Sequence, residues 1–328
     1  MNKRINKILI GAGLTLTVFA TATAVSYTLT DKLVKVALER DGVKKLENNK
    51  AARKQLCGFE ENADFMERMR RSAEILEAEQ TERVTTEAYD GTELVGYFYR
   101  AKNPKRVIIA MHGWRSRWSR DFGMISGFLH DNNCSVLYVQ QRAQGESGGE
   151  YMGFGLLERF DCLEWIKWVN NNTGGTFPIY LAGVSMGATT VLMASSLSLP
   201  QNVCGIIADC GFTSPHAIWK HVAKTNLHLS YGIRGKIASD ICKRKIQMGT
   251  NDFSTLDALV QTDIPVLFIH GTDDHFVPIR MTFENCKACN SPYSLLVVPG
   301  ADHGMSYYTN PEEYNKALTD FFAEFDAY

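Results

Sequence analysis

The feature that most constrains the fold is a series of apolar runs that alternate with segments of helical patterning. The runs are rich in Val, Ile and Leu, and each is about as long as an ordinary strand. Continuous apolar strands that alternate with amphipathic helices are typical of a parallel sheet covered by helices on both faces. The sequence therefore predicts an α/β fold with a mostly parallel central sheet. The predicted strands are residues 106–113, 134–140, 178–184, 203–210, 264–271 and 293–300.

Two further segments add to this alternation. Upstream of the first run, apolar and polar residues alternate around Asp90-Gly91, a dipeptide that favours a two-residue hairpin turn. After the fourth run, about residues 212–263 are longer and more helical than a plain crossover requires. We expect this segment to form a helical cap inserted in one domain, which spans residues 83–328.

The N-terminus contains a run that fits a membrane span. Residues 8–30 carry no charged side chain and follow a basic segment, and a run of this length can cross a bilayer as a helix. We therefore expect residues 1–30 to form a single membrane anchor with the folded domain outside the cytoplasm, although basic residues flank the run on both sides. Ala20-Thr-Ala22 and Ala22-Thr-Ala24 resemble signal-peptidase sites, so the alternatives are a cleaved signal with secretion, or a buried helix. Residues 31–82 are charged and favour helix, which predicts an amphipathic helical linker.

Composition excludes some partners and leaves most functions open. The chain has 328 residues, of which 45% are hydrophobic, so it can bury a sizeable core. Its formal charge of -1 gives no electrostatic reason to expect a nucleic acid partner. Cys286 and Cys289 form a C-x-x-C pair without the second pair that a zinc site needs, so we expect no metal. A structural role is expected for the eight cysteines, with a redox pair or a disulfide at this pair as the alternative.

Two serines, Ser147 and Ser185, fit the G-x-S-x-G pattern of a nucleophile. A nucleophile elbow requires a strand that runs directly into a tight turn and then directly into a helix. Around Ser185 all of these parts are present, because an apolar run precedes it, Gly183 and Gly187 flank it, and good helix formers follow. Around Ser147 the strand ends several residues earlier and no helix follows at once. The sequence therefore predicts Ser185 as the nucleophile.

A nucleophilic serine needs a base and an acid that orients the base. Asp274 and His303 follow the last two apolar runs, in loops that would converge over the elbow at the carboxyl edge of a parallel sheet. We expect His303 to be the base and Asp274 to orient it. The alternatives are Asp273 or Asp209 for the acid and His275 for the base, while His270, at a strand end, is expected to be structural.

The oxyanion of acyl transfer needs backbone N–H donors beside the nucleophile. One is expected from Met186, the residue after Ser185, and the other from Trp114, in the "MHGW" loop at the end of the first apolar run. The prediction concerns the amide of Trp114, whose indole can equally serve in packing.

From about Val84 to the C-terminus, the chain resembles the α/β-hydrolase superfamily. The matching segments are "MHGW", "QRAQGESGG", "GVSMGA", "HGTDDHFVP" and "GADHG", in the order of that superfamily. More narrowly, "GFGLLERFDCLEWI" and "GVSMGATTVLMAS" resemble bacterial membrane-anchored hydrolases described as esterases or serine-aminopeptidase-like enzymes. The resemblance implies the fold, the triad and an acyl-transfer mechanism. Relatives have Asp-x-Arg-Gly-x-Gly-x-Ser where this chain has Gln140 in place of the acid and Ala143 in place of the first glycine.

The sequence thus predicts a membrane-tethered serine hydrolase that cleaves a small-molecule ester, thioester or amide, most readily a carboxylic ester, without a metal or an organic cofactor. The cap carries apolar residues, such as Trp219 and Leu229, that could hold an acyl or aryl group. One alternative is an aminopeptidase-like hydrolase, in which Asp240 or Asp252 would pair with a free amine. The other is a non-catalytic binding module that has retained the hydrolase fold.

Overall fold

The structure, a computed structural model, describes residues 25–42 and 62–326. These residues include a sheet of eight strands, which contains every predicted strand to within two residues of its predicted ends. The strands are β1 (Glu82–Glu87), β2 (Glu93–Tyr99), β3 (Arg106–Met111), β4 (Cys134–Gln140), β5 (Ile179–Val184), β6 (Val203–Asp209), β7 (Val266–Gly271) and β8 (Tyr293–Val298). Across the sheet they lie in the order β1-β2-β4-β3-β5-β6-β7-β8.

The pairing of the strands confirms the mostly parallel sheet and the hairpin. From β4 to β8 every neighbouring pair is parallel, whereas β1 and β2 pair antiparallel and β2 pairs antiparallel with β4. The hairpin closes with Glu87 opposite Glu93, so residues 88–92 connect the paired strands and the turn is longer than the predicted two residues. Gly91 donates to the Ala88 carbonyl at 3.0 Å and takes a φ of 80° that suits glycine in the turn. The carboxyl ends of β3 and β5 to β8 therefore share one edge of the sheet.

Eleven helices surround the sheet in the part of the chain that the structure describes. They are α1 (residues 25–38), α2 (Ala63–Ala78), α3 (Trp118–Asp131), α4 (Glu158–Thr173), α5 (Met186–Ala194), α6 (Pro215–Thr225), α7 (Gly232–Ile246), α8 (Thr255–Leu259), α9 (Arg280–Ala288), α10 (Ser306–Thr309) and α11 (Pro311–Phe325). Helices α4, α5, α8 and α9 contribute to an apolar cluster on one face of the sheet, and α2, α3 and α11 to a cluster on the other.

The alternation of side chains along each strand explains why the central strands are apolar throughout. In β3, Val107 and Ile109 belong to one apolar cluster, and Ile108 and Ala110 belong to the other. All four are fully buried. Because helices cover both faces of the sheet, a polar side chain at any of these positions would be buried without a hydrogen-bond partner. The sequence of the strand is therefore hydrophobic throughout.

The segment predicted to form a cap contains three helices, α6, α7 and α8, between β6 and β7. Helix α6 begins where Ser214 accepts a hydrogen bond from the Ala217 amide at 3.1 Å and Pro215 occupies the first turn. Helix α1 packs with this cap, since its Val34 is buried in the same apolar cluster as Ile218 of α6. The predicted boundary between anchor and linker, at residue 30, lies inside α1.

Most of the predicted anchor, residues 1–24, lies outside the described residues, as does the linker from residue 43 to residue 61. Within residues 25–42 and 62–326, no helix combines the length and the apolar character needed to cross a membrane. The seven cysteines in these residues are free, and they include Cys286 and Cys289.

Candidate active site

Ser185 lies at a sharp turn between β5 and α5, as the elbow pattern predicts. Its backbone has φ 56° and ψ −115°, and its amide donates a hydrogen bond to the Asp209 carbonyl at 2.8 Å. A Cβ at Gly183 would lie 2.2 Å from the carbonyl carbon of Gly187, and a Cβ at Gly187 would lie 1.9 Å from the Met111 carbonyl oxygen. No side chain fits at either position, so both flanking glycines are sterically required.

The three residues predicted as a triad lie in hydrogen-bond contact. His303, in the loop after β8, has its Nε2 2.9 Å from Ser185 Oγ and its Nδ1 2.7 Å from Asp274 Oδ2. Asp274 lies in the loop after β7, so the three side chains come from the carboxyl ends of three strands. Both loops are joined by Asp302, whose Oδ1 accepts the backbone N–H groups of His275 and His303 at 3.1 and 2.7 Å.

Asp274 is held from two sides. Its Oδ1 accepts the backbone N–H groups of Phe276 and Val277 at 2.9 and 2.8 Å. Its Oδ2 lies 3.1 Å from Nε2 of the buried His270, as well as beside His303. The Nε2 of His270 also faces the Val277 carbonyl oxygen at 2.8 Å, so both neighbours are acceptors and Nε2 carries the proton. The sequence assigned His270 a structural role but gave no sign that it contacts the acid.

The contact between Asp274 and His303 lowers the pKa of Asp274 and raises the pKa of His303. Burial disfavours the charged carboxylate of Asp274, but the charge of His303 and the hydrogen bonds from both histidines outweigh burial and hold its pKa below the usual range. Burial likewise disfavours charged His303, but the negative charge of Asp274 outweighs burial and raises the pKa of His303 well above 6.5. Asp274 is therefore an anion that accepts from Nδ1–H, so in neutral His303 the unprotonated Nε2 faces Ser185 Oγ.

The alternative residues lie elsewhere. Asp273 and His275 are exposed, and the His275 ring faces Asp302 at 3.5 Å. Asp209 is buried and accepts a hydrogen bond from Ser306 Oγ at 3.1 Å, and burial raises its pKa to about 6. Its carbonyl supports the Ser185 amide, while its carboxyl group has no hydrogen bond to His303 among the described contacts.

Cys210 is a neighbour of the triad that the sequence did not indicate. Potential ligand atoms of Cys210, Asp274 and His303 lie within 4.8 Å of one another, an arrangement that could in principle hold a metal ion. Burial raises the pKa of the Cys210 thiol to about 12, so the thiol is protonated at neutral pH. The other two residues already bond to each other, so the geometry fits a hydrogen-bonded pair beside a neutral thiol better than a metal centre.

The two predicted oxyanion donors belong to segments beside Ser185. A Cβ added to Gly113 would lie 3.4 Å from Ser185 Cβ, so the loop that leads into Trp114 passes against the nucleophile. The loop is fixed where Asp121 accepts the Gly113 amide at 2.7 Å. Met186 is the first residue of α5, and its N–H therefore has no acceptor within the helix. Both segments are placed where N–H groups could reach an oxyanion.

Ser147, the other serine of the pattern, lies in the interior of the loop after β4. Its Oγ is buried, accepts the Val95 amide at 2.8 Å and donates to the Gln140 carbonyl. Gln140, at the position where the resembled family has an acid, supports this loop because its Oε1 accepts the Glu146 amide at 2.8 Å. Ala143 has a φ of 57°, which explains why the corresponding position favours glycine.

An apolar cavity of about 90 Å³ lies beside the triad, between α1 and the cap. Trp114 and Phe276 line it on the side of the active site, and the Phe276 ring packs against the His303 ring with 5.0 Å between their centroids. The remaining lining comes mostly from aliphatic and aromatic side chains of α1, α6 and α7. The site therefore has a hydrophobic compartment next to its reactive groups.

Comparisons with known proteins are consistent with this geometry. A model of the prolyl oligopeptidase family matches residues 127–326. The uncharacterized protein YqkD of Bacillus subtilis is 28% identical over 247 residues, which cover 74% of this chain and 79% of that protein. A non-heme haloperoxidase of Rhodococcus erythropolis is 26% identical over 275 residues, covering 71% and 97%. The structure of the Pyrococcus furiosus esterase Pf2001 matches with a TM-score of 0.60 and 20% identity, covering 76% of this chain and 92% of that chain.

Proposed function

We propose that this chain, which belongs to the prolyl oligopeptidase family and has the α/β-hydrolase fold, is a serine hydrolase, and that the substrates it cleaves are carboxylic esters. The observation that carries the proposal is the contact of Ser185 Oγ with His303 Nε2 at 2.9 Å, continued from His303 Nδ1 to Asp274 at 2.7 Å. A nucleophile, a base and an orienting acid in this order are the requirement for acyl transfer through a serine.

The first half of the reaction forms an acyl-enzyme. Ser185 Oγ attacks the carbonyl carbon of the ester while His303 Nε2 takes the hydroxyl proton, and the carbonyl oxygen becomes an oxyanion. The N–H groups of Met186 and Trp114 bind this oxyanion. When the tetrahedral intermediate collapses, the bond to the leaving oxygen breaks and His303 returns the proton to that oxygen, which releases the alcohol.

The second half repeats these steps with water. His303 takes a proton from a water molecule whose oxygen attacks the acyl carbon. Collapse of the second intermediate breaks the bond to Ser185 Oγ, which regains the proton, and the carboxylic acid leaves. Throughout both halves, Asp274 holds the imidazole in the tautomer with hydrogen on Nδ1 and stabilises the imidazolium by its charge. These steps use only groups of the chain, the substrate and water.

A peptidase acting at a free N-terminus is the second candidate, favoured by the family match. Such an enzyme needs a carboxylate near the cap to bind the amine, and Asp240 and Asp252 were its candidates. Neither is among the described residues that line the cavity, and the Asp252 carboxylate lies 3.6 Å from Lys243 Nζ. The apolar lining instead suits an ester whose acyl group is uncharged, which supports the esterase proposal.

We further propose that residues 1–30 anchor the enzyme to a membrane, with its domain outside the cytoplasm. The uncharged run of residues 8–30 supports the anchor. Basic residues flank the run on both sides and do not favour export, so the orientation is proposed because an N-terminal anchor followed by a large domain usually places that domain outside. The boundary at residue 30 has a consequence. An anchor that ends inside α1, a helix that packs with the cap, would hold the domain close to the bilayer.

A fluorophosphonate probe tests the reaction, since it reacts with activated serines. Wild-type protein is expected to label and to hydrolyse nitrophenyl esters, and Ser185→Ala is expected to do neither while its circular dichroism stays native. A folded wild type that does not label would identify a non-catalytic binding module. Labelling of Ser185→Ala would show that another residue is the nucleophile. Activity confined to aminoacyl anilides would favour the peptidase.

A further inference from the structure

We propose that α1 is a wall of the site that binds the acyl group, so that this N-terminal helix sets the length of acyl chain that the enzyme accepts. The inference rests on the proposed ester hydrolysis at Ser185. It assigns to residues 25–38, which the sequence placed in an anchor and a linker, a direct part in substrate selection.

The cavity lies between α1 and residues that adjoin the reactive groups. At one end Trp114 follows Gly113, which lies against Ser185, and Phe276 packs on His303. At the other end the lining comes from α1, through side chains such as Leu33. A substrate carbonyl placed beside Ser185 would therefore direct its acyl chain between the cap and α1.

The body of α1 is an integral part of the fold. Val34 and Leu38 are 2% and 1% exposed, in the apolar cluster that also contains Phe154 and Ile218. The main chain is fastened as well, because the Met152 amide donates to the Leu38 carbonyl at 2.8 Å. Buried apolar contacts together with backbone hydrogen bonds are the features of a rigid element, which is what a selective wall requires.

The C-terminal end of α1 is bound by the loop that carries the proposed oxyanion donor. The Trp114 indole N–H donates to the Ala37 carbonyl at 2.9 Å. The Arg115 guanidinium donates to the carbonyls of Val36 and Glu39 at 2.6 and 2.5 Å. These donors satisfy carbonyls that a helix leaves unpaired at its end, and the positive charge suits the negative end of the helix dipole.

Trp114 couples the selection of the acyl chain by α1 to the binding of the oxyanion. Trp114 offers its backbone N–H to the oxyanion and its indole to α1. On the opposite side, the Arg115 amide donates to Gln144 Oε1 at 2.6 Å, which ties the same loop to the segment after β4. The wall of the acyl site and the oxyanion loop are thus held as one unit.

The mostly apolar lining suits an apolar acyl group, and unbranched aliphatic esters allow the length of that group to be varied one methylene at a time. Each methylene removed from water contributes about 0.8 kcal/mol, equivalent to about a fourfold change in kcat/KM. A wall residue that blocks two methylenes should therefore lower kcat/KM for the longer ester about 15-fold relative to the acetate ester. A change on the solvent side of α1 should leave this ratio unaltered.

The test compares Leu33→Trp, which reduces the cavity, with Lys32→Trp, which adds the same side chain at the exposed neighbouring position. The ratio of kcat/KM for nitrophenyl octanoate to that for the acetate is measured in both variants and in wild type. A second measurement titrates octanoate into Ser185→Ala, with and without each tryptophan, by calorimetry.

We expect Leu33→Trp to lower the octanoate-to-acetate ratio and the octanoate affinity about 15-fold, and Lys32→Trp to lower neither. Unchanged values in Leu33→Trp, or equal losses in both variants, would overturn the proposal. The octanoate titration does not depend on turnover. If wild type fails to label with fluorophosphonate, the proposed hydrolysis is wrong, while the titration still decides whether α1 walls an acyl site.

Discussion

Replacing Ser147 by alanine separates the two serines of the G-x-S-x-G pattern by their physical roles. The Ser147 hydroxyl is fully buried and bridges two neighbouring strands, since it accepts the Val95 amide of β2 at 2.8 Å and donates to the Gln140 carbonyl of β4. The variant removes the hydroxyl group, so the Val95 amide and the Gln140 carbonyl lose their hydrogen-bond partner. The expected loss is therefore in stability and not in chemistry.

The magnitude follows from the group that is left unpaired. A buried donor or acceptor without a partner costs about 1–3 kcal/mol. The Gln140 carbonyl has two lone pairs and tolerates the change better than the Val95 N–H, which has one hydrogen. We expect a loss of about 2 kcal/mol in the free energy of unfolding. For a domain of this size that corresponds to a fall in Tm of about 4–8 °C.

The assay combines thermal unfolding with fluorophosphonate labelling at a temperature where both proteins are folded. Ser147→Ala is expected to melt earlier and to label at the wild-type rate, whereas Ser185→Ala keeps its stability and does not label. A folded Ser147→Ala that fails to label would refute the assignment of the nucleophile. An unchanged Tm would refute the reasoning from the buried hydrogen bonds.

Two further predictions concern pH and location. Hydrolysis needs neutral His303, and although burial lowers its pKa, the charge of Asp274 raises it well above 6.5. The acid limb of kcat/KM against pH should therefore lie above pH 6.5 and move to lower pH in Asp274→Asn, and a limb that does not move would contradict the coupling. The full-length chain should stay with membranes after alkaline carbonate extraction, and a variant starting at residue 25 should be soluble. A soluble wild-type product that starts after Ala22 or Ala24 would instead indicate a cleaved signal.

The elbow could be predicted from the sequence because its strand, turn and helix are contiguous. The clash at Gly183 is with Gly187, four positions along the chain, so it leaves a local pattern, whereas Gly187 is required by the Met111 carbonyl of β3, which is distant in the sequence. The partners Asp274 and His303 could be placed because parallel strands bring their carboxyl ends to one edge. The choice of Asp274 over Asp273 agrees with the contacts, since Asp274 is the one in contact with His303.

The docking of α1 could not be predicted from the sequence. Arg115 and Trp114 bind backbone carbonyls of Val36 and Ala37, and every residue type offers such a carbonyl, so the accepting positions carry no signal. The charged stretch after residue 30 predicted an amphipathic helical linker and did not indicate that α1 packs with the cap. The contact of His270 with Asp274 likewise depends on how β7 and its loop fold back, which residue types alone do not encode.

The backbone of Ser185 has a consequence for the evolutionary history of the family. Its φ of 56° and ψ of −115° suit glycine, and a residue with a side chain in such a conformation stores about 1–3 kcal/mol of strain. A lineage released from selection for hydrolysis would gain stability by Ser185→Gly, a single step that removes the nucleophile and leaves the fold intact. Descendants that have become binding proteins should therefore tend to carry glycine at this position and still retain the rest of the site.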